Sequence, residues 1–325
     1  MEKIKKYWFL IGLVTVFASV FFDKTGLLSL IGVFLKKNHG PDFIIFIIFF
    51  LSGVILEIEN LKQGIKDIKI TFLTLFIIFI FSPIVALLLI KISPVETGII
   101  IGIFLVAVMP TTLSSGVVMT QTAGGNMAHA LFITVLANFI SIVTIPFSLA
   151  ILLSFLGKQT MVEFNQIAII KKLCFLVLFP MLIGMNVKII FKTIKNKIKQ
   201  KIQITNQIFV ILMIFIAGSG TKKIFFEKNE IIFKVLCMVI LFHILLLCCA
   251  FLLSYIFKIK KGKRESLIFM GSQKTLPLSV ILQLTLFPEY KTALLVCVMH
   301  HIIHLIIDGY IAVKLGHKLT ILKND

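Results

Sequence analysis

Long apolar blocks constrain this chain more than any other feature of its sequence. Phe43 to Leu56 and Thr71 to Ile90 are two such blocks, and neither contains a charged side chain. A membrane-spanning helix needs about 20 mostly apolar residues, and 59% of the 325 residues are hydrophobic. The blocks therefore predict an all-α, multi-pass protein of the lipid bilayer. They exclude soluble enzymes and soluble DNA-binding proteins.

Ten transmembrane helices account for the blocks, and no linker between them is long enough to form a soluble domain. Their predicted ranges are 7–22, 41–56, 70–90, 95–119, 127–154, 168–191, 203–219, 231–257, 266–287 and 291–313. The stretch 24–40 is predicted to be a surface segment, because its apolar part is too short to cross a membrane.

The basic residues predict the orientation of the chain. The net charge is +19, but nearly all 33 Lys and Arg residues lie between apolar blocks, so the charge does not indicate a nucleic-acid partner. With both termini in the cytoplasm, the cytoplasmic segments hold 20 basic residues and the outer segments hold 12. This bias follows the positive-inside rule. The predicted location is the inner (plasma) membrane of a bacterium, and the oligomeric state is left open.

Similar landmarks recur in the two halves of the chain. Predicted helices 2 and 7 end near Gly53 and Gly218, and a proline follows each glycine 57 or 59 residues later, at Pro110 and Pro277. Five helices separate the landmarks, so the second half would be inserted upside down. Paired broken helices in inverted halves indicate a transporter site. The predicted repeats are 1–157, with helices 1–5, and 158–325, with helices 6–10.

The fourth predicted helix contains a cluster of hydroxyls at a proline. Pro110 removes a backbone donor, and Gly116 gives the chain further freedom. Open backbone at membrane depth must line a cavity or be buried in protein. The hydroxyls belong to Thr111, Thr112, Ser114 and Ser115. They are candidate substrate or ion ligands, with a simple kinked helix, whose hydroxyls bond to their own turn, as the alternative.

The ninth predicted helix places Gln273, Lys274 and Thr275 just before Pro277, in the middle of an apolar block. A lysine at the centre of a membrane helix costs about 2.5–3.5 kcal/mol on insertion scales. Lys274 is too far from either end of its block to reach the membrane surface easily. We therefore predict that Lys274 and its neighbours bind substrate or ion, and that Pro277 breaks the helix.

The tenth predicted helix carries His300, His304 and Asp308 on one face, with His301 three residues before His304. His301 and His304 are candidates for the transport cavity, either as a proton relay or in ligand binding. Ordinary polar packing is the main alternative, and a metal site formed by two histidines and Asp308 is another.

The fifth predicted helix carries Thr134 and Asn138 on one face, where an asparagine commonly bonds to another helix or lines a site. His129 and His243 stand alone and are expected to be structural. The five cysteines show no metal-ligand spacing, so neither a cofactor nor a bound metal is predicted.

The stretch from Met109 to Pro146, with PTTLSSGVVMTQTAGGN at its centre, resembles the bile acid:sodium symporter family. Three further segments are similar to the family in the same order: FFLSGVIL (Phe49 to Leu56), FPMLIGMNV (Phe179 to Val187) and GSQKTLPL (Gly271 to Leu278). The resemblance implies ten helices in two inverted repeats. It implies a panel domain of helices 1, 2, 6 and 7 and a core domain of the others, with broken, crossing helices 4 and 9.

The same resemblance implies sodium-coupled uptake of an organic anion. By position, it places sodium ligands at Ser115, Thr134 and Gln273. A glutamate of the family's ninth helix falls at Phe269 in this chain, which removes a negative charge that a bound cation needs. The coupling ion is therefore left open between sodium and a proton.

Together these features predict a secondary active transporter that moves a small organic anion by alternating access. Lys274, His301 and His304 favour an anion, with no intramembrane acid expected near them. Lys274 is predicted to replace the coupling ion, with hydroxyls and carbonyls as its hydrogen-bond partners. Burial disfavours the charged form of an amine, so proton coupling is an alternative to a fixed charge.

Two other classes of function are alternatives. An intramembrane serine hydrolase would use Ser114 or Ser115 with a histidine from another helix. A non-transporting regulatory protein would keep the transporter fold without its sodium ligands.

Overall fold

The computed structural model describes residues 9, 11–12, 15–16, 18–19, 22–23, 25–56, 64–92, 95–156, 165–190, 196–219 and 229–321. Within these residues, all regular secondary structure is helical. The helices are α1 (Leu27–Lys37), α2 (Gly40–Ile55), α3 (Ile68–Ile92), α4 (Thr97–Val108), α5 (Ser115–Thr122), α6 (Met127–Ser154), α7 (166–190), α8 (Asn196–Gly218), α9 (Asn229–Ile256), α10 (Arg264–Ser272), α11 (Leu276–Leu286) and α12 (Lys291–Ile321). Two of them contain five-residue π-helical segments, Ile77–Phe81 in α3 and Cys174–Leu178 in α7.

Seven helical stretches in the described part of the chain are long and apolar enough to cross a membrane. They are α3, α6, α7, α8, α9, the α10–α11 pair and α12. Helices α1 and α2, which meet at 72°, would make an eighth span if taken together. The chain is therefore an integral, multi-pass membrane protein. Half of the residues of the first predicted helix, 7–22, lie outside the described residues.

Most predicted helix ends agree with the structure to within a few residues, and three regions differ. Helix α8 begins at Asn196, seven residues before the predicted start at 203. The stretch 24–40 contains the helix α1, which packs against α8. The last helix continues to Ile321, eight residues beyond its predicted end. The prediction stopped too early because the apolar block ends near residue 313, whereas the helix continues with polar and basic residues.

Two glycines let α2 and α7 approach closely. A Cβ atom at Gly53 would overlap the backbone carbonyl of Met181, and one at Gly184 would overlap the carbonyl of Phe50. Both contacts fall in segments that carried the family resemblance. Helix α8 also packs against α2, so α2, α7 and α8 form one group of helices.

Two segments lie at the centre of the remaining helices. Every residue from Ile101 to Thr112 is buried, and so is every residue from Glu265 to Gln283. The first segment contains the end of α4, and the second contains α10 and most of α11. Helix α12 packs along α4, while α10 packs against α5 and α9.

Each central segment leaves helical geometry once. Helix α4 ends at Val108 before Pro110, and the next helix starts at Ser115. Helix α10 ends at Ser272, and α11 starts at Leu276 with Pro277 in its first turn. The two extended stretches touch, because the backbone N–H of Thr275 donates to the carbonyl of Pro110 at 2.9 Å. This contact positions the candidate site.

Candidate functional site

Lys274 lies in the extended stretch between α10 and α11, with only 2% of its surface exposed. Its Nζ atom donates to three backbone carbonyls: Ile78 at 2.8 Å, Met109 at 3.0 Å and Ala107 at 3.1 Å. An ammonium group has three N–H donors and no acceptor. The three carbonyls therefore match the full hydrogen-bonding capacity of the charged form.

Two of these carbonyls are available because α4 ends beside them. Ala107 and Met109 belong to its last turn and C-cap, where carbonyls have no partner in their own helix. The C-terminal end of a helix also carries a partial negative charge that favours a cation. Ser82 in α3 donates a second hydrogen bond to the Ala107 carbonyl, at 2.8 Å.

Gln273 connects the two extended stretches through its side-chain oxygen. Its Oε1 atom accepts from the hydroxyls of Thr112 at 2.8 Å and Ser115 at 2.9 Å. The Ser115 hydroxyl shares its one proton between Gln273 Oε1 and the Thr112 hydroxyl oxygen, which lie 2.9 Å from it. The Thr112 hydroxyl also accepts from the backbone N–H of Gly116 at 2.9 Å. This network joins the start of α5 to the end of α10.

Asp308 accepts a hydrogen bond from the side-chain amide nitrogen of Gln273. The Gln273 Nε2 atom lies 2.8 Å from Asp308 Oδ2, and also 2.8 Å from the Met119 sulfur. Asp308 Oδ1 lies 2.9 Å from Nε2 of His243, and both side chains are fully buried. A buried acid is thus joined by one hydrogen bond to the residue that precedes Lys274.

Two expectations from the sequence are therefore wrong. The sequence predicts no intramembrane acid near Lys274, His301 and His304, yet Asp308 accepts a hydrogen bond from Gln273. Since α12 continues to Ile321, Asp308 lies well inside it. His243 was expected to stand alone, yet it pairs with Asp308 from 65 positions earlier in the chain. The spacing of His300, His304 and Asp308 indicated a common face, but no local pattern indicated its partner in α9.

His301 and His304 meet each other beside the lysine. His304 Nε2 lies 2.9 Å from His301 Nδ1. His300 and His243 lie next to them, with ring centroids 5.3–5.9 Å from that of His304. The structure thus gathers four histidines beside the extended stretch of α10 and α11.

The remaining candidates on the fourth and fifth predicted helices occupy different positions. The Thr134 hydroxyl donates to the carbonyls of Ala130 at 3.0 Å and Thr112 at 3.4 Å, so it contacts Gln273 only through Thr112. Asn138 donates to the Thr134 carbonyl at 2.7 Å. Of the three positions carried over from the family, Ser115 and Gln273 bond directly, and Thr134 does not bond to either.

Three further side chains complete the set. The Thr111 hydroxyl is buried without a hydrogen-bond partner among the described residues, as is Oδ1 of Asn138. Ser114 precedes α5 but makes no side-chain capping bond. Thr275 is buried and joins the crossing through its backbone N–H. His129 bridges Ser266 and Thr71 through its two ring nitrogens, as expected for a structural histidine.

Apolar spans surround two buried, interrupted segments that carry a lysine and a polar network. This arrangement is that of a multi-pass membrane transporter. The chain belongs to the SBF-like CPA transporter family, whose model matches residues 7–317.

Curated relatives cover most of the chain. It is 28% identical to sodium/bile acid cotransporter 7-A of Xenopus laevis over 315 residues, 94% of this chain and 89% of that protein. It is 30% identical to the probable sodium/metabolite cotransporter BASS4, chloroplastic, of Arabidopsis thaliana over 280 residues, 81% of this chain and 63% of that protein. Sodium/bile acid cotransporter 7 of Rattus norvegicus is 26% identical over 291 residues, 86% of this chain and 83% of that protein.

These comparisons confirm the predicted relationship to the bile acid:sodium symporter family. The relatives are named as cotransporters and not as enzymes, so the intramembrane hydrolase hypothesis is set aside.

Proposed function

We propose that the chain is a secondary active transporter of a small organic anion, in which the Lys274 ammonium takes the place of a coupling cation. The observation that carries the proposal is the set of three backbone carbonyls around Nζ. Backbone carbonyls are the hard oxygen ligands that cations use in proteins. Here a lysine already fills them.

A sodium ion beside this lysine would be unfavourable. Two unit charges 4 Å apart repel by about 4 kcal/mol at the effective dielectric constant that applies near protein sites. The oxygen of Gln273, a position carried over as a sodium ligand, already accepts two hydroxyl donors. Phe269, which stands where the family has a glutamate, is fully buried and contributes no charge. These features favour transport without bound sodium.

An anion fits the electrostatics of the crossing. Helices α5 and α11 begin at the extended stretches, and helix N-termini carry partial positive charge that favours anions. The unpartnered hydroxyl of Thr111 offers a donor to a bound group. Relatives are named for bile acid and for metabolite transport, and both names suit a small organic anion.

The proposal includes the family's finer architecture and its movement. We infer ten helices in two inverted repeats, 1–157 and 158–325, with both termini in the cytoplasm of a bacterium. A panel group containing α2, α7 and α8 would rock against a core containing the two interrupted segments. The tight packing of α2 on α7 supports treating the panel as one body.

Uptake into liposomes tests the proposal. Radiolabelled taurocholate and pyruvate serve as probes, each measured with sodium, without sodium, and across a pH gradient. We expect uptake of at least one anion without sodium, its loss in Lys274→Gln, and no change in Lys234→Gln, which alters an exposed lysine. Uptake that requires a sodium gradient, or uptake of cations alone, would overturn it. If no anion is moved or bound, the regulatory alternative is favoured.

A further inference from the structure

We infer that a cavity between α1 and α8 on one side and α11 and α12 on the other binds a phosphate monoester that also carries a hydroxyl group. The cavity has a volume of about 90 Å³. A single water molecule needs about 10–15 Å³ by the same measure. The cavity is therefore large enough for several waters or for one phosphate group.

This cavity is separate from the crossing that holds Lys274. Gln283, which lines it, lies seven residues after Leu276, the first residue of α11. At a rise of about 1.5 Å per residue, the helix places Gln283 about 10 Å from the extended stretch. Among the described residues that line the cavity, none has a role in the proposed function. It is a second site and not an extension of the first.

Two lysines from different helices line the cavity and make it positively charged. Lys36 lies in the last turn of α1, and Lys291 is the first residue of α12. In the described part of the chain, no carboxylate lies within ion-pair distance of either ammonium group. Like charges at one small cavity repel each other, so an anion between the two lysines would be stabilised.

The charge of the cavity favours a doubly charged group. A phosphate monoester carries a charge of about −1.5 to −2 at pH 7, which matches the two ammonium groups. Lysine binds phosphate as a point charge. The N-terminus of α12, which begins at Lys291, adds partial positive charge on the same side. A carboxylate, with a single charge, would neutralise only one of the two lysines.

Two helix C-termini also end near the cavity, and their carbonyls already have donors. The Gln283 Nε2 atom donates to the carbonyls of Phe287 at 3.0 Å and Tyr290 at 3.2 Å, at the end of α11. The carbonyl of Ser219, which follows α8, accepts from the Ser29 hydroxyl. These hydrogen bonds reduce the partial negative charge that helix C-termini would present to an anion.

Gln283 favours a ligand that can donate a hydrogen bond. Its Nε2 atom faces two carbonyls, which can only accept, so the positions of the amide nitrogen and oxygen are determined. The Oε1 atom is buried without a hydrogen-bond partner among the described residues. A buried acceptor without a donor is costly. A hydroxyl group on the bound phosphate ester would supply this donor from the cavity.

An anionic lipid headgroup offers related chemistry with less charge. Phosphatidylglycerol has a phosphate and hydroxyl groups, but its phosphodiester carries a single negative charge. The two lysines therefore favour a soluble monoester over the lipid, and the experiment distinguishes the two sources.

Thermal unfolding of the full chain in phosphatidylcholine nanodiscs tests the site, with glycerol 3-phosphate as the probe. At pH 8 and constant ionic strength, the probe should raise the unfolding midpoint in a saturable way, because a bound ligand stabilises the folded state by mass action. Lys36→Gln and Lys291→Gln should each weaken the apparent affinity by about tenfold, since each removes a hydrogen bond between charged groups. Equal responses in the wild type and both variants would overturn the inference.

Matched controls come from the same chain. Lys37 is an exposed neighbour of Lys36 that does not line the cavity, so Lys37→Gln should respond as the wild type does. Lys274→Gln, which alters the crossing, should also keep the response. A loss in Lys37→Gln equal to that in Lys36→Gln would mean that the probe senses only surface charge. A response lost only in Lys274→Gln would place the probe at the crossing. Either result would overturn the site.

Methyl phosphate tests the role of Gln283 without altering this side chain, which caps α11. It keeps the charged phosphate but has no hydroxyl group. It should bind about fivefold more weakly than glycerol 3-phosphate, which corresponds to one net hydrogen bond. Equal affinities for the two esters would overturn the pairing of the ligand hydroxyl with Gln283.

Nanodiscs of phosphatidylglycerol separate the soluble ester from the lipid. We expect the same response to glycerol 3-phosphate as in phosphatidylcholine. If the lipid is the ligand, it will raise the midpoint of the wild type but not of the Lys36→Gln, Lys291→Gln double variant, and the probe will add nothing; this result would overturn the soluble ester. None of these measurements uses a transported anion, so their failure leaves the proposed function standing, and a failure of anion uptake leaves this site standing.

Discussion

Lys274 Nζ lies 2.8 Å from the backbone carbonyl oxygen of Ile78, 196 positions earlier in the chain. That carbonyl is available because of two neighbours in α3. The backbone N–H of Ser82 donates to Ile77 in the π-helical segment, and Pro83, the next residue, has no N–H to donate. A proline in α3 thus leaves an acceptor for a lysine in the extended stretch between α10 and α11.

Lys274→Met should destabilise the protein. The carbonyls of Ile78 and Met109 would lose their donor in a dry interior, while Ser82 would still bond to Ala107. An unsatisfied buried acceptor costs about 1–3 kcal/mol, so we expect a clear fall in the thermal unfolding midpoint in detergent. The exposed variant Lys234→Met should change it little, since surface ion pairs contribute little. An unchanged midpoint in Lys274→Met would contradict the three-carbonyl site.

Pro83→Ala tests the link between α3 and the lysine. The new N–H could bond to the Ile78 carbonyl within the helix, so this carbonyl would no longer depend on Lys274. In a double-mutant cycle, Lys274→Met should then cost less in the Pro83→Ala background, by about 0.5–1.5 kcal/mol. Pro146→Ala, which alters a buried proline inside α6, is the control and should show no such coupling. Strict additivity for Pro83→Ala and Lys274→Met would contradict the link.

Glycine substitutions should separate a closely packed position from an open one. Gly184→Ala places a Cβ against the backbone of Phe50 and Val54, which cannot move aside easily. We expect it to destabilise the protein by about 1–3 kcal/mol through overpacking. Gly218→Ala meets no atom within 4 Å and should be neutral, or favourable by up to about 1 kcal/mol from helix propensity. Thermal unfolding of both variants checks this, and equal losses would contradict it.

Much of the fold was predictable, because membrane insertion leaves a strong local signal. Apolar blocks predicted most helix ends. Pro110 lies two residues after the end of α4, and Pro277 lies in the first turn of α11. Lys274 could be singled out because an isolated charge in an apolar block is costly. These features each depend on a few consecutive residues.

The partners of the site residues could not be predicted in the same way. The donors to Gln273 Oε1 lie about 160 positions earlier in the chain, and the Asp308–His243 pair spans 65 positions. The π-helical segment Ile77–Phe81, which leaves the Ile78 carbonyl free, is as apolar as the residues around it. Its sequence therefore does not distinguish it from an ordinary α-helix. Tertiary packing determines the donors to Gln273, the Asp308–His243 pair and the π-helical segment. A single sequence does not reveal such packing. Gly53 and Gly218 occupy matching positions in the two halves of the sequence, but their surroundings differ. A Cβ atom at Gly53 would overlap the carbonyl of Met181, whereas one at Gly218 would meet no atom within 4 Å.

Cysteine accessibility tests the orientation of the chain. In a variant without its five native cysteines, single cysteines at Lys197 and Lys261 should react with a membrane-impermeant reagent only from the cytoplasmic side. A cysteine at Lys291 should react only from outside, because the segment between α11 and α12 has the opposite orientation under the positive-inside rule. All three lysines are at surface-exposed positions. The reverse pattern would overturn the predicted location of both termini.

Thr112→Val and Ser115→Ala should differ in cost, although both remove a hydroxyl from Gln273. Thr112 also accepts from Ser115 and from the N–H of Gly116 at the start of α5. Its loss leaves a helix-terminal donor unmatched, at about 1–3 kcal/mol. Ser115→Ala leaves Gln273 its bond from Thr112 and should cost about 1 kcal/mol or less.

Thermal unfolding checks the cost of both substitutions. Repeating it in sodium chloride and in potassium chloride tests which cation the site binds. If Lys274 replaces sodium, sodium chloride and potassium chloride at equal concentration should give the same unfolding midpoint in the wild type and in both variants. A bound ion stabilises the folded state by mass action. A sodium-specific rise that Ser115→Ala abolishes would mean that Ser115 and Gln273 hold sodium. The proposal that a lysine has taken its place would then fail, whatever the cost of the two substitutions.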